Sequence, residues 1–346
     1  MGSVNSLIRE NIRNLKPYSS ARDEFEGDAA VFLDANENPY FSPLNRYPDP
    51  RQRKLRNILS EMKSVPPESI FLGNGSDEAI DILIRAFCEP GEDNIVSIDP
   101  TYGMYEVAAA INGVEYRKAP LGKDFSLDPG QIERRLDRNT KIVFLCSPNN
   151  PTGNTFGKSE LHDLVRRFKG IIIIDEAYID FSSGQGFLDE IKNQSALVVL
   201  QTLSKGWGRA GIRLGMAFAS KEIIDVMNKI KPPYNINSLT IREAAKTLGR
   251  ADEIKNHVKE IISGREWLRE KLSELEAVKK IFPSDANFLL LKVDNADAMY
   301  EYLRNKNIIV RNRSRVRDCE NCLRITVGTP GENEQLIGAL KGYRPE

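Results

Sequence analysis

Short apolar runs alternate with amphipathic stretches between about residues 50 and 220 of this 346-residue chain. The apolar runs predict strands, and in chain order they are SIFLGN, NIVSID, KIVFLC, GIIIID and ALVVLQT. The stretches between them that have helical periodicity include SDEAIDILIRAF, YGMYEVAAAI and SELHDLVRRF. Strands that are apolar throughout and alternate with helices are typical of a mostly parallel sheet covered on both faces. The pattern therefore predicts an α/β fold with a large parallel-sheet domain.

The pattern changes beyond about residue 235. One long amphipathic helix is predicted from TIREAAKTLGRADEIKNHVKEIISGREWLREKLSEL. Strands are then predicted from NFLLLKV, NIIVRNR and CLRITVG, with a helix, ADAMYEYLRNK, between the first two. This arrangement indicates a smaller α+β domain at the C-terminal end. We therefore predict a loop-rich N-terminal segment at 1–40, a large domain at 41–235 and a small domain at 236–346.

Composition narrows the possible partners and the compartment. The chain has 49 basic and 49 acidic residues and therefore no formal net charge. Its charge thus does not favour nucleic acid or an anionic membrane as a partner. No apolar run approaches the roughly 18 residues that would span a bilayer. The four cysteines are too few for a disulfide framework at this length, which predicts a reducing, cytoplasmic setting. A lone C-x-x-C and two histidines argue against a zinc site and against a histidine-dependent triad.

Polar residues stand directly after several predicted strands, where ligands gather in parallel α/β sheets. Gly73, Gly75 and Ser76 precede a predicted helix, so close backbone approach and free N–H groups suit an anion there. Ser76 and Asp77 equally suit a helix N-cap. Asn150 lies in the sharp turn NNPTG, which is either a simple turn or a means of aiming an amide into a site.

Two charged residues also follow apolar strands, although burying an unpaired charge is costly. Asp175 suits an N-cap, a buried salt bridge or a partner for a cationic ligand. Lys205 suits either a side chain that extends to solvent or an amine of lowered pKa that bonds a carbonyl covalently. Together the phosphate cradle, amide, carboxylate and lysine suit pyridoxal phosphate, which needs a lysine and an acidic partner for its ring nitrogen.

These motifs make the sequence similar to the fold-type I pyridoxal-phosphate aminotransferases, and more narrowly to the histidinol-phosphate aminotransferase family. The matching motifs span nearly the whole chain in the family's order: LKPYSSAR, LDANENPY, RYPDP, GNGSDE, ILIRAFCEPG, PTYGMY, CSPNNPTG, IDEAYIDF, TLSKGWGRAGIRLG and CLRITVGTP. The resemblance implies an aspartate-aminotransferase-like large sheet, a pyridoxal 5′-phosphate cofactor and a cytoplasmic homodimer. It also implies transamination between histidinol phosphate and 2-oxoglutarate in histidine biosynthesis.

The resemblance implies a role for each matching residue. Lys205 would bond the cofactor and move the substrate proton, and Asp175 would keep the ring nitrogen protonated. Tyr178 and Asn150 would hydrogen-bond the phenolic oxygen, and Tyr102 would stack on the ring. The cofactor phosphate would be surrounded by Gly75, Ser76, Asp77, Thr202, Ser204 and Arg213, and reached by Tyr47 of a neighbouring subunit.

The implied substrate contacts centre on arginine. Arg324 would bind the donor carboxylate and, with Arg311, the substrate phosphate, with Tyr18 and Asn36 nearby. Two arginines suit a site that must accept both groups in turn. Arg311 equally fits a solvated basic run that also contains Arg313, Arg315 and Arg317. A threonine-phosphate decarboxylase, a broad aromatic aminotransferase and a non-catalytic cofactor-binding protein remain as alternatives.

Overall fold

The computed structural model describes residues 4–24, 31–40 and 42–344. Strands β1 to β7 are Ile70–Asn74, Asn94–Asp99, Glu115–Pro120, Thr140–Cys146, Ile171–Asp175, Leu197–Thr202 and Leu214–Ala219. Strands β8 to β11 are Val278–Ile281, Phe288–Val293, Arg311–Asn312 and Cys322–Thr326. Helices α1 to α12 are Glu10–Asn14, Ala21–Glu24, Arg53–Lys63, Ser76–Phe87, Met104–Ile111, Pro129–Glu133, Lys158–Arg167, Lys221–Ile230, Ser238–Leu248, Ala251–Ser273, Ala296–Asn305 and Pro330–Lys341.

The large sheet has seven strands in the order β1-β7-β6-β5-β4-β2-β3. Strands β3, β2, β4, β5 and β6 pair in parallel, whereas β7 is antiparallel to both β6 and β1. The prediction of an α/β fold with a mostly parallel sheet is therefore confirmed. Because only β7 is reversed, the carboxyl ends of the other strands meet at one edge of the sheet.

Side chains of β5 alternate between two hydrophobic clusters, one on each face of the sheet. Ile172 and Ile174 pack with residues of α3 and α7, whereas Ile171 and Ile173 pack with residues of α4, α5 and α8. All five residues of β5 are buried. Covering both faces explains why the central strands are apolar throughout rather than alternating.

The smaller sheet is antiparallel, in the order β10-β11-β9-β8. A third cluster joins this sheet to α10, α11 and α12, and it includes Leu268, Leu289, Leu291, Met299, Leu323 and Leu336. The prediction of a smaller α+β region at the C-terminal end is therefore confirmed. The exact domain boundaries at residues 40 and 235 stay predictions.

The structure differs from the predicted elements in three places. The single helix predicted across Gly249 is wrong, because Gly249 and Arg250 separate α9 from α10. In NIIVRNR only Arg311–Asn312 pairs with β11. The structure adds β3, β7 and β8, which the apolar pattern did not predict. Two of these, β3 and β8, are edge strands, where charged side chains replace apolar ones.

Gly215 of β7 sets the position of the turn between β1 and α4. A Cβ on Gly215 would lie 2.2 Å from the backbone nitrogen of Ser76 and 2.3 Å from the carbonyl carbon of Gly75. We therefore expect Gly215→Ala to push β7 away from this turn and to lower the free energy of unfolding by about 2 kcal/mol or more.

Urea unfolding of the cofactor-free protein measures this effect. The matched control is Gly211→Ala, since a Cβ on Gly211 meets no atom within 4 Å. Equal stability of the two variants would show that the turn does not depend on the missing side chain at residue 215.

Candidate active site

The carboxyl ends of the parallel strands border a cavity of about 410 Å³. It is lined by Gly75, Ser76, Asp77, Tyr102, Cys146, Asn150, Asp175, Ala177, Tyr178, Thr202, Ser204, Lys205, Arg213, Arg311, Arg313 and Arg324. These residues come from both sheets, because the last three lie on or beside β10 and β11. The structure thus brings together every residue to which the family resemblance assigns a role, apart from Tyr18, Asn36 and Tyr47. Gly73, which precedes Gly75 in the same turn, does not line the cavity.

The N-terminus of α4 forms one end of this lining. Helix α4 begins at Ser76, and no side chain caps its N-terminus. Gly75 has a φ of +75°, and a Cβ there would lie 2.6 Å from Nη2 of Arg213. The Arg213 guanidinium thus lies against free helix N–H groups, an arrangement that favours an anion such as a phosphate.

Hydroxyl and carboxylate groups complete this end of the cavity. The backbone N–H of Ser204 donates to Oγ1 of Thr202 at 3.1 Å. Tyr102 donates its hydroxyl to Oδ1 of Asp77 at 3.0 Å, and Oδ2 of Asp77 lies 3.7 Å from Nη2 of Arg213. Asp77 therefore orients both the aromatic ring and the guanidinium beside the helix end.

Asp175 ends β5 and is only 3% exposed. Its Oδ2 accepts a hydrogen bond from the hydroxyl of Tyr105 at 2.7 Å, and its Oδ1 accepts one from the N–H of Ala177 at 3.0 Å. Burial raises the pKa of Asp175, while these two hydrogen bonds oppose the rise. Since the carboxylate lines the cavity, it can stabilise a positive charge placed there.

Lys205 follows β6, and its Nζ lies 5.7 Å from the centre of the Tyr178 ring. Burial lowers the pKa of Lys205, and the positive charge of Arg324 lowers it further. A lysine with a lowered pKa spends more of its time as the neutral amine, which is the form that attacks carbonyl carbon.

Arg324 connects the smaller sheet to the large one. Its Nη1 donates to Oδ1 of Asn150, and Nδ2 of Asn150 donates to the hydroxyl of Tyr178 at 3.4 Å. The guanidinium carbon also lies 5.2 Å from the centre of the Phe288 ring. One chain of contacts therefore runs from an arginine that could bind substrate to the tyrosine beside Lys205.

Arg313 is a cavity residue whose role the sequence did not suggest. The Nε atoms of Arg313 and Arg324 are both buried without a hydrogen-bond partner. Burial and the charges of Arg324 and Arg311 lower the pKa of Arg313 to about 10. Buried donors beside like charges are costly, so this group suits an anionic ligand. The sequence did contain a signal for this residue. Arg311 and Arg313 are two positions apart in an extended run, so their side chains lie on the same face.

Three predicted residues lie outside the cavity. Tyr18 is 73% exposed and borders a separate groove beside Lys231. Asn36 and Tyr47 border another groove, where the Tyr47 ring stacks on Tyr234 at 4.5 Å between ring centres. Tyr18 and Asn36 therefore do not lie beside Arg311 and Arg324 within one chain, and their role near the substrate stays a prediction.

The cysteines and the helices bear on two other kinds of site. All four cysteines are free and buried, and the thiol of Cys322 donates to the carbonyl oxygen of Glu320 at 3.7 Å. Across residues 4–24, 31–40 and 42–344, no three His, Cys, Asp or Glu side chains are grouped to hold a metal ion. In the same part of the chain, no helix combines the length and apolar character needed to cross a membrane.

Comparison with known proteins identifies the family. A sequence profile described as "Aminotransferase class I and II" matches residues 26–340. The chain belongs to this family. The aminotransferase is 56% identical to "Histidinol-phosphate aminotransferase" of Parabacteroides distasonis, over 99% of this chain and 100% of that relative. It is 55% identical to the protein of the same name from Bacteroides fragilis, again over 99% and 100%.

A solved structure supports the same placement. The aminotransferase is similar to the crystal structure of the histidinol-phosphate aminotransferase from Clostridium acetobutylicum, with a TM-score of 0.80 and 28% sequence identity. The match covers 86% of this chain and 90% of that one. The resemblance to fold-type I aminotransferases inferred from the motifs is confirmed, and the relatives do not favour the decarboxylase or the aromatic aminotransferase.

The raised pKa of Asp175 predicts how the stability of an Asp175→Asn variant depends on pH. Ionisation of a buried carboxyl with a pKa above 3.8 destabilises the folded state. That cost is absent below about pH 4 and develops as the pH rises toward the folded-state pKa. An asparagine carries no charge and can still accept the N–H of Ala177. We therefore compare the melting temperatures of the two cofactor-free proteins. The value for Asp175→Asn minus the value for wild type should increase by about 2 °C between pH 4 and pH 7.

Calorimetry on both proteins across this pH range gives the comparison. Titrating groups that do not interact with Asp175 cancel in the difference, because they are the same in both proteins. A difference that stays constant with pH would mean that Asp175 is not destabilised by burial.

Proposed function

We propose that this aminotransferase uses pyridoxal 5′-phosphate to transfer an amino group between histidinol phosphate and 2-oxoglutarate. In the biosynthetic direction it would convert imidazole-acetol phosphate and glutamate into histidinol phosphate and 2-oxoglutarate, which is a step of histidine biosynthesis. One geometric observation carries the proposal: a single cavity contains a lysine, a buried carboxylate, an uncapped helix N-terminus and four arginines. The name carried by relatives more than 50% identical across their whole length supports the same substrate.

The residues present fit the cofactor. The α4 N-terminus and Arg213 suit its phosphate, and the absence of a side chain at Gly75 permits close approach. Asp175 suits the protonated ring nitrogen, and Lys205 suits the aldehyde carbon. When bound, pyridoxal 5′-phosphate supplies an aldehyde that accepts the amino group and a protonated ring that accepts electrons from the substrate carbon.

Lys205 has the chemistry required to move a proton at the substrate carbon. Its lowered pKa favours the neutral amine, which can accept that proton and later return it. Asp175 would hold a proton on the ring nitrogen, and the hydrogen bonds from Tyr105 and the Ala177 N–H favour the charged carboxylate that this role needs.

The arginines of the cavity suit the anionic groups of both substrates. One half-reaction brings a phosphate dianion and the other brings dicarboxylates, so the same donors must bind both kinds of anion. Arg324 is held by Asn150 and by the Phe288 ring, which suits a fixed carboxylate-binding position. Arg313 has a buried Nε without a partner and no comparable side-chain hydrogen bond, which suits it to the phosphate.

We propose that the protein forms a homodimer. The segment around residues 31–40 exposes large apolar side chains, with Leu33 89%, Tyr40 81% and Val31 70% exposed. Apolar groups exposed together favour association with another protein surface. A second copy seated there would also account for Tyr47, Tyr18 and Asn36, which lie outside the cavity of their own chain. The four free cysteines support a reducing, cytoplasmic setting.

The decisive experiment is one half-reaction followed by absorbance. The protein loaded with pyridoxal 5′-phosphate is mixed with histidinol phosphate in the absence of any keto acid. We expect the visible band of the bound cofactor to disappear and to return when 2-oxoglutarate is added. Lys205→Ala should abolish nearly all turnover, because it removes both the covalent attachment and the proton carrier.

Other outcomes point to other functions. A band that responds to glutamate or phenylalanine but not to histidinol phosphate would keep the reaction and reject the substrate. Release of carbon dioxide from threonine phosphate without a keto acid would indicate the decarboxylase. Retained turnover in Lys205→Ala would remove Lys205 from its proposed role.

Arg313 provides a test of substrate specificity. Arg313→Gln removes a charged donor from the cavity, so we expect the KM for histidinol phosphate to rise about tenfold or more, with a smaller change for glutamate. The matched control is Arg315→Gln, because Arg315 belongs to the same basic run but is exposed and outside the cavity. Steady-state kinetics with both substrates measures the difference. Equal KM values for the two variants would place the phosphate elsewhere.

A further inference from the structure

We propose that Tyr105 is a positioning residue for the reaction, acting through Asp175. Its buried hydroxyl fixes the Asp175 carboxylate in the orientation and charge state that the ring nitrogen of the cofactor requires. This inference rests on the proposed use of pyridoxal 5′-phosphate. Tyr105 is not itself among the residues that line the cavity, so it does not act by touching substrate or cofactor.

Two hydrogen bonds fix the Asp175 carboxylate. Tyr105 donates its hydroxyl to Oδ2 at 2.7 Å, and the backbone N–H of Ala177 donates to Oδ1 at 3.0 Å. With one donor on each oxygen, the carboxylate group cannot rotate freely about its Cβ–Cγ bond. Each oxygen retains further acceptor capacity, and the residue borders the cavity.

The Tyr105 ring is fixed by its own packing. It is fully buried in α5, stacks on Phe144 of β4 with 4.6 Å between ring centres, and meets the Tyr102 ring edge-on at 5.5 Å. A phenylalanine could make the same ring contacts. The hydroxyl therefore needs a separate explanation, since burying a hydroxyl costs free energy unless it is hydrogen-bonded. Its 2.7 Å bond to Asp175 supplies that explanation.

The hydrogen bond also affects charge. Burial raises the pKa of Asp175, and the bond from Tyr105 is the largest effect that opposes this rise. The pKa of Tyr105 is itself raised well above 10, because of burial and the adjacent Asp175, so the phenol remains a proton donor. Without this donor, Asp175 is more readily protonated, and a neutral carboxyl stabilises a protonated ring nitrogen less well. The loss therefore matters only for a cofactor that has a ring nitrogen.

The test compares two cofactors on cofactor-free protein: pyridoxal 5′-phosphate and its 1-deaza analogue, in which C–H replaces the ring nitrogen. For Tyr105→Phe we expect the affinity for pyridoxal 5′-phosphate to fall about tenfold while that for the analogue stays unchanged. Fluorescence titration measures both dissociation constants without requiring turnover.

Two further variants make the comparison specific. Tyr116→Phe is the matched control, because Tyr116 of β3 is a partly buried tyrosine, and the tyrosine that donates to Asp175 is Tyr105. We expect Tyr116→Phe to leave the ratio of the two dissociation constants unchanged. In an Asp175→Asn background, adding Tyr105→Phe should also leave that ratio unchanged, since the charged acceptor has already been removed.

Equal weakening of both cofactors by Tyr105→Phe would show a purely structural role and would overturn the inference, as would no weakening of either. If Tyr105→Phe does not fold, 3-fluorotyrosine at residue 105 keeps the shape and strengthens the donor. It should increase the preference for pyridoxal 5′-phosphate, and an unchanged preference would overturn the inference. Failure of the wild-type protein to bind pyridoxal 5′-phosphate would instead contradict the proposed function.

Discussion

A buried negative charge at the end of β5 is the constraint on which the site depends. Asp175 is 3% exposed, and a carboxylate in that position is costly unless it is hydrogen-bonded and opposed by positive charge. The chain supplies hydrogen bonds from Tyr105 and Ala177. It supplies no ion-pair partner for Asp175 among the described residues, and only the more distant charge of Lys205 favours the carboxylate. A cationic group of a bound molecule would add the compensating charge.

On the side of the smaller sheet, the uncompensated charge is positive. Arg313 and Arg324 have buried Nε atoms without hydrogen-bond partners, and each lies close enough to other arginines for their charges to lower its pKa. Asp175 and these arginines line the same cavity, but no direct ion pair joins them among the described residues. Keeping them apart costs stability, and functional sites are where proteins retain such costs. The charge pattern thus describes a ligand that is cationic toward Asp175 and anionic toward the arginines and α4.

Much of this arrangement could be predicted from the sequence, since the apolar strands and the polar residue after each one are both local patterns. The parallel sheet then requires Asn150, Asp175 and Lys205 to meet at one edge. The contact between Tyr105 and Asp175 could not be predicted, because 70 residues separate them and periodicity does not specify which side chains meet across a sheet. The edge strands β3 and β8 were not predicted from the sequence. Their side chains are partly exposed, so they include charged residues and lack the apolar runs by which the other strands were recognised.

Asn150 makes hydrogen bonds toward both the arginines of the smaller sheet and the residues around Lys205. Its amide donates to Tyr178, beside Lys205, and its carbonyl oxygen accepts from Arg324 of β11. An asparagine can make both bonds at once only in one orientation, since one end is a donor and the other an acceptor. Any anion that draws Arg324 toward it therefore competes with the bond that orients Asn150. Binding of an anion at Arg324 would in this way be coupled to the hydrogen bonds around Lys205, because one turn residue contacts both the smaller sheet and the tyrosine beside the lysine.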